Sequence, residues 1–238
     1  MNLDPTDLLR KAAINTPLIG FYDAPDTSYF EPLIEPKPRK HMCIFSFYRS
    51  WLRGETLHLT KGNAGCGGCG HWLFSSVTRS REDYVKFLVD DEGLKSSHDL
   101  MNQWLDYHRP YEPKYPNILI GPLKQDQYEY LKSITFFVNP DQLSLLILGA
   151  NYNNAPGDSS PVIAPFGSGC MELITLFKNL DISQAIIGAT DIAIRQYIPP
   201  DILVFTVTKP MFKQLCGLDE KSFLYKTFWD NLRRARGL

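Results

Sequence analysis

Cysteines stand at positions 43, 66, 69, 170 and 216. Two of them, in Cys66-Gly67-Gly68-Cys69, make a C-x-x-C pair inside the densest glycine segment of the chain, which also holds Gly62, Gly65 and Gly70. Thiolates at this spacing can both reach one metal ion, or close a small redox disulfide. The glycines free the backbone to turn and to bring N–H groups toward sulfur or an anion. A structural zinc site needs a second pair of ligands. The sequence has no second C-x-x-C and no H-x-x-x-H spacing, so Cys170, His71 or Cys43 completes a set only if the fold brings them together. A thioredoxin-like pair wants a strand before it and a helix straight after. The pair can equally be part of a structural loop. Metal ligand, redox thiol and packing residue all stay open on spacing alone.

Cys170 follows Gly167-Ser168-Gly169 and opens a predicted helix. A thiol at a helix N-terminus has a lowered pKa, and the same N–H groups bind phosphate or carboxylate. The alternative is a small buried residue at a tight strand-to-helix turn. The G-x-S-x-G elbow and the Walker loop are excluded because their required residues are missing here. Cys216 reads as packing. Of the five histidines only His71 adjoins a candidate site, where it can ligate or exchange protons near neutral pH. Asp191 and Arg195 sit four apart, the spacing of a helical ion pair; the sharper reading is an anion-binding arginine. The candidate metal ligands are therefore Cys66, Cys170, Cys69, Cys43 and His71, with zinc or an iron–sulfur cluster as cofactor. The candidate ligand-binding groups are Gly67, Gly68, Gly169 and Arg195.

These residues need elements to hold them. Helices are expected at Leu8 to Ala13, His41 to Arg53, Arg81 to Val89, Ser97 to Tyr107, Asp126 to Lys132, Pro140 to about Tyr152, Glu172 to Asn179, Phe212 to Leu215 and Ser222 to Arg236. Strands are expected at Leu18 to Tyr22, Thr56 to Thr60, Asn117 to Ile120, Ile134 to Val138, Pro161 to Ala164, Gln184 to Ile187 and Asp201 to Val207. Asp23 to Arg39, with four prolines, reads as a connector, Asn151 to Ser160 as a turn-rich loop, and Lys61 to Gly70 as irregular because glycine weakens regular elements. The fold class is α+β, a single domain.

An internal echo suggests how that domain is built. Phe21-Tyr22-Asp23-Ala24-Pro25-Asp26 matches Phe136-Phe137-Val138-Asn139-Pro140-Asp141 at the first Phe, the Pro and the last Asp. Each is followed by a Gly-rich stretch with cysteine, Gly65 to Gly70 and Gly167 to Cys170. This predicts two similar strand-helix halves, 15–120 and 130–215, around a shared core, with both Gly-Cys loops facing one cleft, a usual ligand position. Chance is the competing account, since strand-turn-Pro-Asp is a common helix opening.

Composition removes several function classes. The chain has 238 residues, 44% hydrophobic and 21% charged, as expected of a folded domain and not of a disordered one. A net charge of −1 gives no electrostatic reason to expect nucleic acid or an anionic membrane as partner. No apolar run approaches the roughly 20 residues that span a bilayer. Met1 to Asp7 is acidic, without the basic and apolar regions of a secretory signal, so the expectation is the cytoplasm and reduced thiols.

Several pieces in order carry a family resemblance. They are the strand ending near Phe21-Tyr22, Cys43 at a helix head, Cys66-Gly67-Gly68 followed by Leu73, Gly121-Pro122-Leu123, and Val138-Asn139-Pro140-Asp141-Gln142-Leu143. The loop before Cys170, Arg195 and Thr208-Lys209-Pro210-Met211-Phe212 complete the set. Over roughly 16–215 the chain resembles the archaeal and bacterial proteins grouped as domain of unknown function 169. The resemblance implies family-style cysteines at 43, 66 and 170, with Cys69 an addition, and it implies no substrate. The leading expectation is a protein binding a small molecule, metal or cofactor between the two Gly-Cys loops. The alternatives are a thiol oxidoreductase using Cys66 and Cys69, and an interaction protein whose cysteines only pack.

Overall fold

The computed structural model describes residues 4–37, 42–76, 79–155 and 158–237. Its strands are β1 (Ile19–Ala24), β2 (Leu33–Ile34), β3 (Thr56–Leu59), β4 (Asn117–Pro122), β5 (Leu131–Val138), β6 (Val162–Ile163), β7 (Ala185–Gly188) and β8 (Leu203–Thr208). They form one mixed sheet in the order β2-β3-β4-β1-β5-β8-β7-β6. The α+β class stands.

Strand residues alternate between two cores, as a period of two requires. Ile19, Phe21, Leu57, Leu59, Ile118, Ile120 and Phe137 face one; Tyr22, Leu119, Ile134, Phe136, Val138, Phe205 and Val207 face the other. The first core is closed by α2 (Tyr48–Leu52), α3 (Gly67–Phe74), α4 (Arg81–Lys86) and α5 (His98–Tyr107), with Trp51, Trp72, Val85 and Met101 as anchors. The second lies under α1 (Thr6–Ala12), α6 (Pro140–Ala150), α7 (Lys209–Cys216) and α8 (Thr227–Arg236), anchored by Leu8, Leu146, Phe212 and Trp229. Burial on both faces explains why β1 and β5 read as nearly continuous apolar runs. The β5-to-α6 junction is fixed locally. Asn139 and Gln142 exchange capping bonds of 2.9 and 3.0 Å, and Pro140 opens the first turn.

The sheet reads the same way outward from the antiparallel β1–β5 pair. On one side come β4, β3 and β2; on the other come β8, β7 and β6. Both β4–β1 and β8–β5 are antiparallel, as are β3–β4 and β7–β8, while β2–β3 and β6–β7 are parallel.

Several expected elements differ; the expected helix Ser222 to Arg236, for one, is a 3-10 turn at Phe223–Tyr225, then an extended Lys226, then α8. The last four residues of the glycine segment, Gly67 to Gly70, are helical and open α3. Cys66 caps it, its glycines sit at or near the first turn, and burial of Trp72, Leu73 and Phe74 outweighs their entropic cost, about 1 kcal/mol per glycine. Asp126 to Lys132 is no helix: a 3-10 turn covers Gln125–Gln127, and Leu131 already pairs with Tyr22 in the sheet. Glu172 to Asn179 gives way to a 3-10 turn, Gly169–Leu173, ended when Ile174 leaves helical dihedrals. The expected helix His41 to Arg53 is a 3-10 turn at Ile44–Phe47 followed by α2, with His41 itself outside the described residues. The proline connector carries β2; its end at Arg39, and Pro156-Gly157 of the later loop, also lie outside them. The basic end of α8 is explained within the fold: Arg236 pairs with Asp141 at 3.0 Å, and Arg233 donates to the carbonyls of Arg10 and Lys11.

Candidate functional site

Cys66 is the N-cap of α3, and its sulfur accepts the Cys69 N–H at 3.3 Å. The chain enters this cap through Gly65 at φ +81°, where a Cβ would lie 2.6 Å from the Met42 carbonyl oxygen. Only glycine suits that combination. The Met42 N–H donates to the Gly65 carbonyl at 3.0 Å, which sets Cys43 beside the Cys66 loop. Cys43 in turn stands at the N-cap position of the 3-10 turn Ile44–Phe47, its side chain making no capping bond.

Cys170 arrives from the other end of the sequence. Its turn, Gly169–Leu173, packs against α3 and against Ile44–Phe47. At Gly169 a Cβ would meet Ile194 Cγ2 at 2.7 Å and Phe45 Cε2 at 3.1 Å, so the glycine permits the approach. The Gly169 N–H donates to Asp191 Oδ2 at 2.9 Å. Asp191 also caps the 3-10 turn Ile192–Tyr197, which packs on Ile44–Phe47. At this point Ile194 and Phe45 pack directly against the Gly169 backbone. A small apolar pocket lies on the opposite face, lined by Leu8, Leu145 and Leu215 among others.

Four sulfurs thus share one apolar region, Cys69 and Cys170 buried, Cys43 and Cys66 half-buried. Burial pushes all four thiols up, Cys43 to about 12 and Cys69 and Cys170 well above the usual range. The leading charges that act on them are other thiols and Asp191, and every one opposes ionisation. At Cys66 the Cys69 and Gly68 N–H groups work the other way, but burial wins. Reactive thiols are normally lowered by an adjacent cation; here no cation is among those leading charges.

A buried carboxylate braces the far side. Glu172 Oε2 accepts the Ala189 N–H at 2.6 Å, and Oε1 accepts the Thr190 N–H at 3.1 Å and its hydroxyl at 2.9 Å. These bonds hold Ala189 in the left-handed region (φ 63°) and aim the strand end toward Asp191. Tyr84, pushed to about 12 first by burial and then by Cys170, lines the same region.

Not every candidate joins it. His71 packs on the rings of Trp72 and Tyr84, 4.6 and 5.6 Å between centroids, and burial with Arg81 holds its pKa below the usual value. Arg195 donates to the carbonyls of Ile202, Pro199 and Pro200, so the helical pair with Asp191 does not form. Gly67 and Gly68 belong to the first turn of α3. Cys216 ends α7 against the other core. Among the described residues no group of three or more His, Cys, Asp or Glu is spaced to hold a single metal ion. No helix there is long and apolar enough to cross a membrane. Sequence reasoning missed Glu172, and gave Asp191 only an ion-pairing role.

No curated protein and no solved structure matches the chain. The profile of the DUF169 family, described as uncharacterised ArCR, matches residues 18–217. That span takes in Cys43, Cys66, Cys69, Cys170, Glu172 and Asp191, and the chain belongs to this family of unknown function.

Proposed function

We propose that the protein binds a metal–sulfur centre at Cys43, Cys66 and Cys170, with Cys69 beside them, in the reducing environment of the cytoplasm. The observation that carries this is the convergence of four thiols and a carboxylate with no cation among their leading charged neighbours. Such a set stays protonated and unreactive alone, and a bound cation reverses the balance by deprotonating the thiols outright. Of the two candidate cofactors the site does not suit one zinc ion, since among the described residues no three of these groups are spaced to hold a single metal ion. Zinc draws four ligands onto a single centre, whereas a cluster spreads its cysteines over several metal atoms. When bound, a cluster supplies electron transfer or a Lewis-acidic corner; the chain's own part is to supply thiolates, bury them and exclude water.

A second reading, thiol–disulfide chemistry at Cys66 and Cys69, draws support from the helix-start geometry of the pair. The raised pKa of both thiols counts against it.

Alkylation mapping separates the two. On protein purified without oxygen and held in mild denaturant, so that free thiols are accessible, Cys43 and Cys66 should resist modification together and become reactive together once a chelator is added, with Cys216 as internal reference. Reactivity that ignores the chelator but follows a disulfide reductant at Cys66 and Cys69 supports the second reading instead.

A further inference from the structure

Near the end of β1, Asp23 is buried, at 1% exposure. Its carboxylate accepts the Tyr111 hydroxyl at 2.8 Å and the Lys114 and Tyr115 N–H groups at 2.7 and 2.9 Å. Its own N–H donates to the Tyr130 carbonyl at 3.0 Å. A buried carboxylate is costly to leave without these partners, so one residue pins two separate segments, 111–115 and 128–130, at the same end of the sheet. Tyr111 turns inward onto Phe21, with ring centroids 5.7 Å apart. Tyr115 and Tyr130 meet each other instead, centroids 5.8 Å apart and planes at 84°.

Two rings at right angles make a corner of aromatic faces. The Lys114 ammonium already lies over one of them, 5.0 Å from the Tyr115 centroid. The Tyr130 hydroxyl is hydrogen-bonded to the Glu129 carboxylate; that bond, ahead of loss of water and the charges of Glu129, Tyr115 and Tyr29, pushes its pKa up to about 12. The phenol is therefore neutral at physiological pH, and donating to a carboxylate enriches its ring in electron density. Tyr29, exposed on the turn Ser28–Phe30, adds a third aromatic ring near Tyr130. Single exposed aromatics need no explanation. Three tyrosines from three segments, two of them fixed by one buried carboxylate, form a built surface.

We propose that Tyr115 and Tyr130, with Tyr29 and the Glu129 carboxylate beside them, bind a small quaternary ammonium cation. The proposal is independent of the metal–sulfur reading. Aromatic faces attract a cation through the ring quadrupole, and a fully methylated ammonium suits them because it sheds water cheaply and carries no N–H that needs an acceptor. Glu129 supplies opposite charge from the edge of the site without having to touch the methyl groups. Lys114 is an internal competitor: its ammonium holds the face of Tyr115 and gives way when the ligand arrives.

The test titrates the whole protein with tetramethylammonium and with choline at constant ionic strength, following the ligand methyl protons by NMR, since ring currents move them upfield. Wild type should give a saturable upfield shift with both. The neutral isostere of choline, carbon in place of nitrogen, should bind more weakly. Tyr115→Leu and Tyr130→Leu should each weaken binding about 2–5-fold, the worth of one exposed cation–π contact. Glu129→Gln should weaken it too, and Lys114→Gln should tighten it, an effect that a merely structural tyrosine corner would not produce. Lys114 and Glu129 are exposed, so these two variants decide the matter even if a leucine variant fails to fold. No saturable shift in wild type, equal binding of the neutral isostere, or unchanged affinity in both Lys114→Gln and Glu129→Gln overturns the proposal.

Discussion

A thiol buried among thiols gains nothing from losing its proton unless positive charge arrives with the loss. That holds at Cys43, Cys66 and Cys170, and it separates them from the exposed, cation-flanked cysteines of thiol enzymes. Glu172 acts one step behind them. Replacing it with alanine strands the Ala189 and Thr190 N–H groups without their acceptor. The expected cost is about 1–3 kcal/mol in denaturant unfolding, together with weaker metal retention because the Asp191 loop loosens. Unchanged stability and unchanged metal content in that variant would show that the brace is idle. The cysteines were legible in the sequence because spacing and glycine context mark them. Asp191 was not: its four-residue interval to Arg195 imitates a helical pair, and only a 3-10 turn with Arg195 facing carbonyls undoes that reading.

At the scale of elements, the site depends on short turns that meet closely, and Gly169 sits where two of them touch. Gly169→Ala places a methyl against Ile194 and Phe45. It should destabilise by about 1–3 kcal/mol through overpacking and push Cys170 off the cluster. A neutral effect on both unfolding and metal content would mean the turns have room to separate. Asn139→Ala serves as its control. Losing the cap of α6 should cost about 1 kcal/mol while leaving metal content untouched, since α6 lies on the other face of the sheet. Long apolar strands and capped helices were readable from local pattern, as at β5 and α6. The 3-10 turns were not, because their geometry is imposed by packing across the seam and by side chains such as Glu172.

At the scale of the molecule, one sheet joins both halves and the candidate centre lies across their junction. The two segments of the echo, 21–26 and 136–141, run off the ends of β1 and β5, the strands from which the sheet order reads alike on both sides. Strand order, invisible in sequence, supplies the register. The buried thiols also set an alkaline limit on the metal-free protein. An unfolded thiol ionises near 9, whereas Cys43 holds its proton to about 12. Its contribution is complete below the unfolded value and is lost as pH rises toward the folded one, at up to about 1.4 kcal/mol per pH unit. Chelated protein should therefore lose stability steeply above about pH 9, and Cys43→Ala should flatten the slope. Metal-loaded protein, its thiols already deprotonated, should lack that dependence. Superimposable pH–stability curves for the chelated and loaded forms would contradict this.

The most direct measurement is the iron, acid-labile sulfide and visible absorption of protein purified without oxygen, beside Cys66→Ser and Cys170→Ser. The account predicts coloured wild-type protein with near-stoichiometric cluster, and loss of both colour and iron in each variant, although the two cysteines come from opposite halves of the chain. Colourless, metal-free protein in all three would contradict it and leave the thiols as packing residues of the first core.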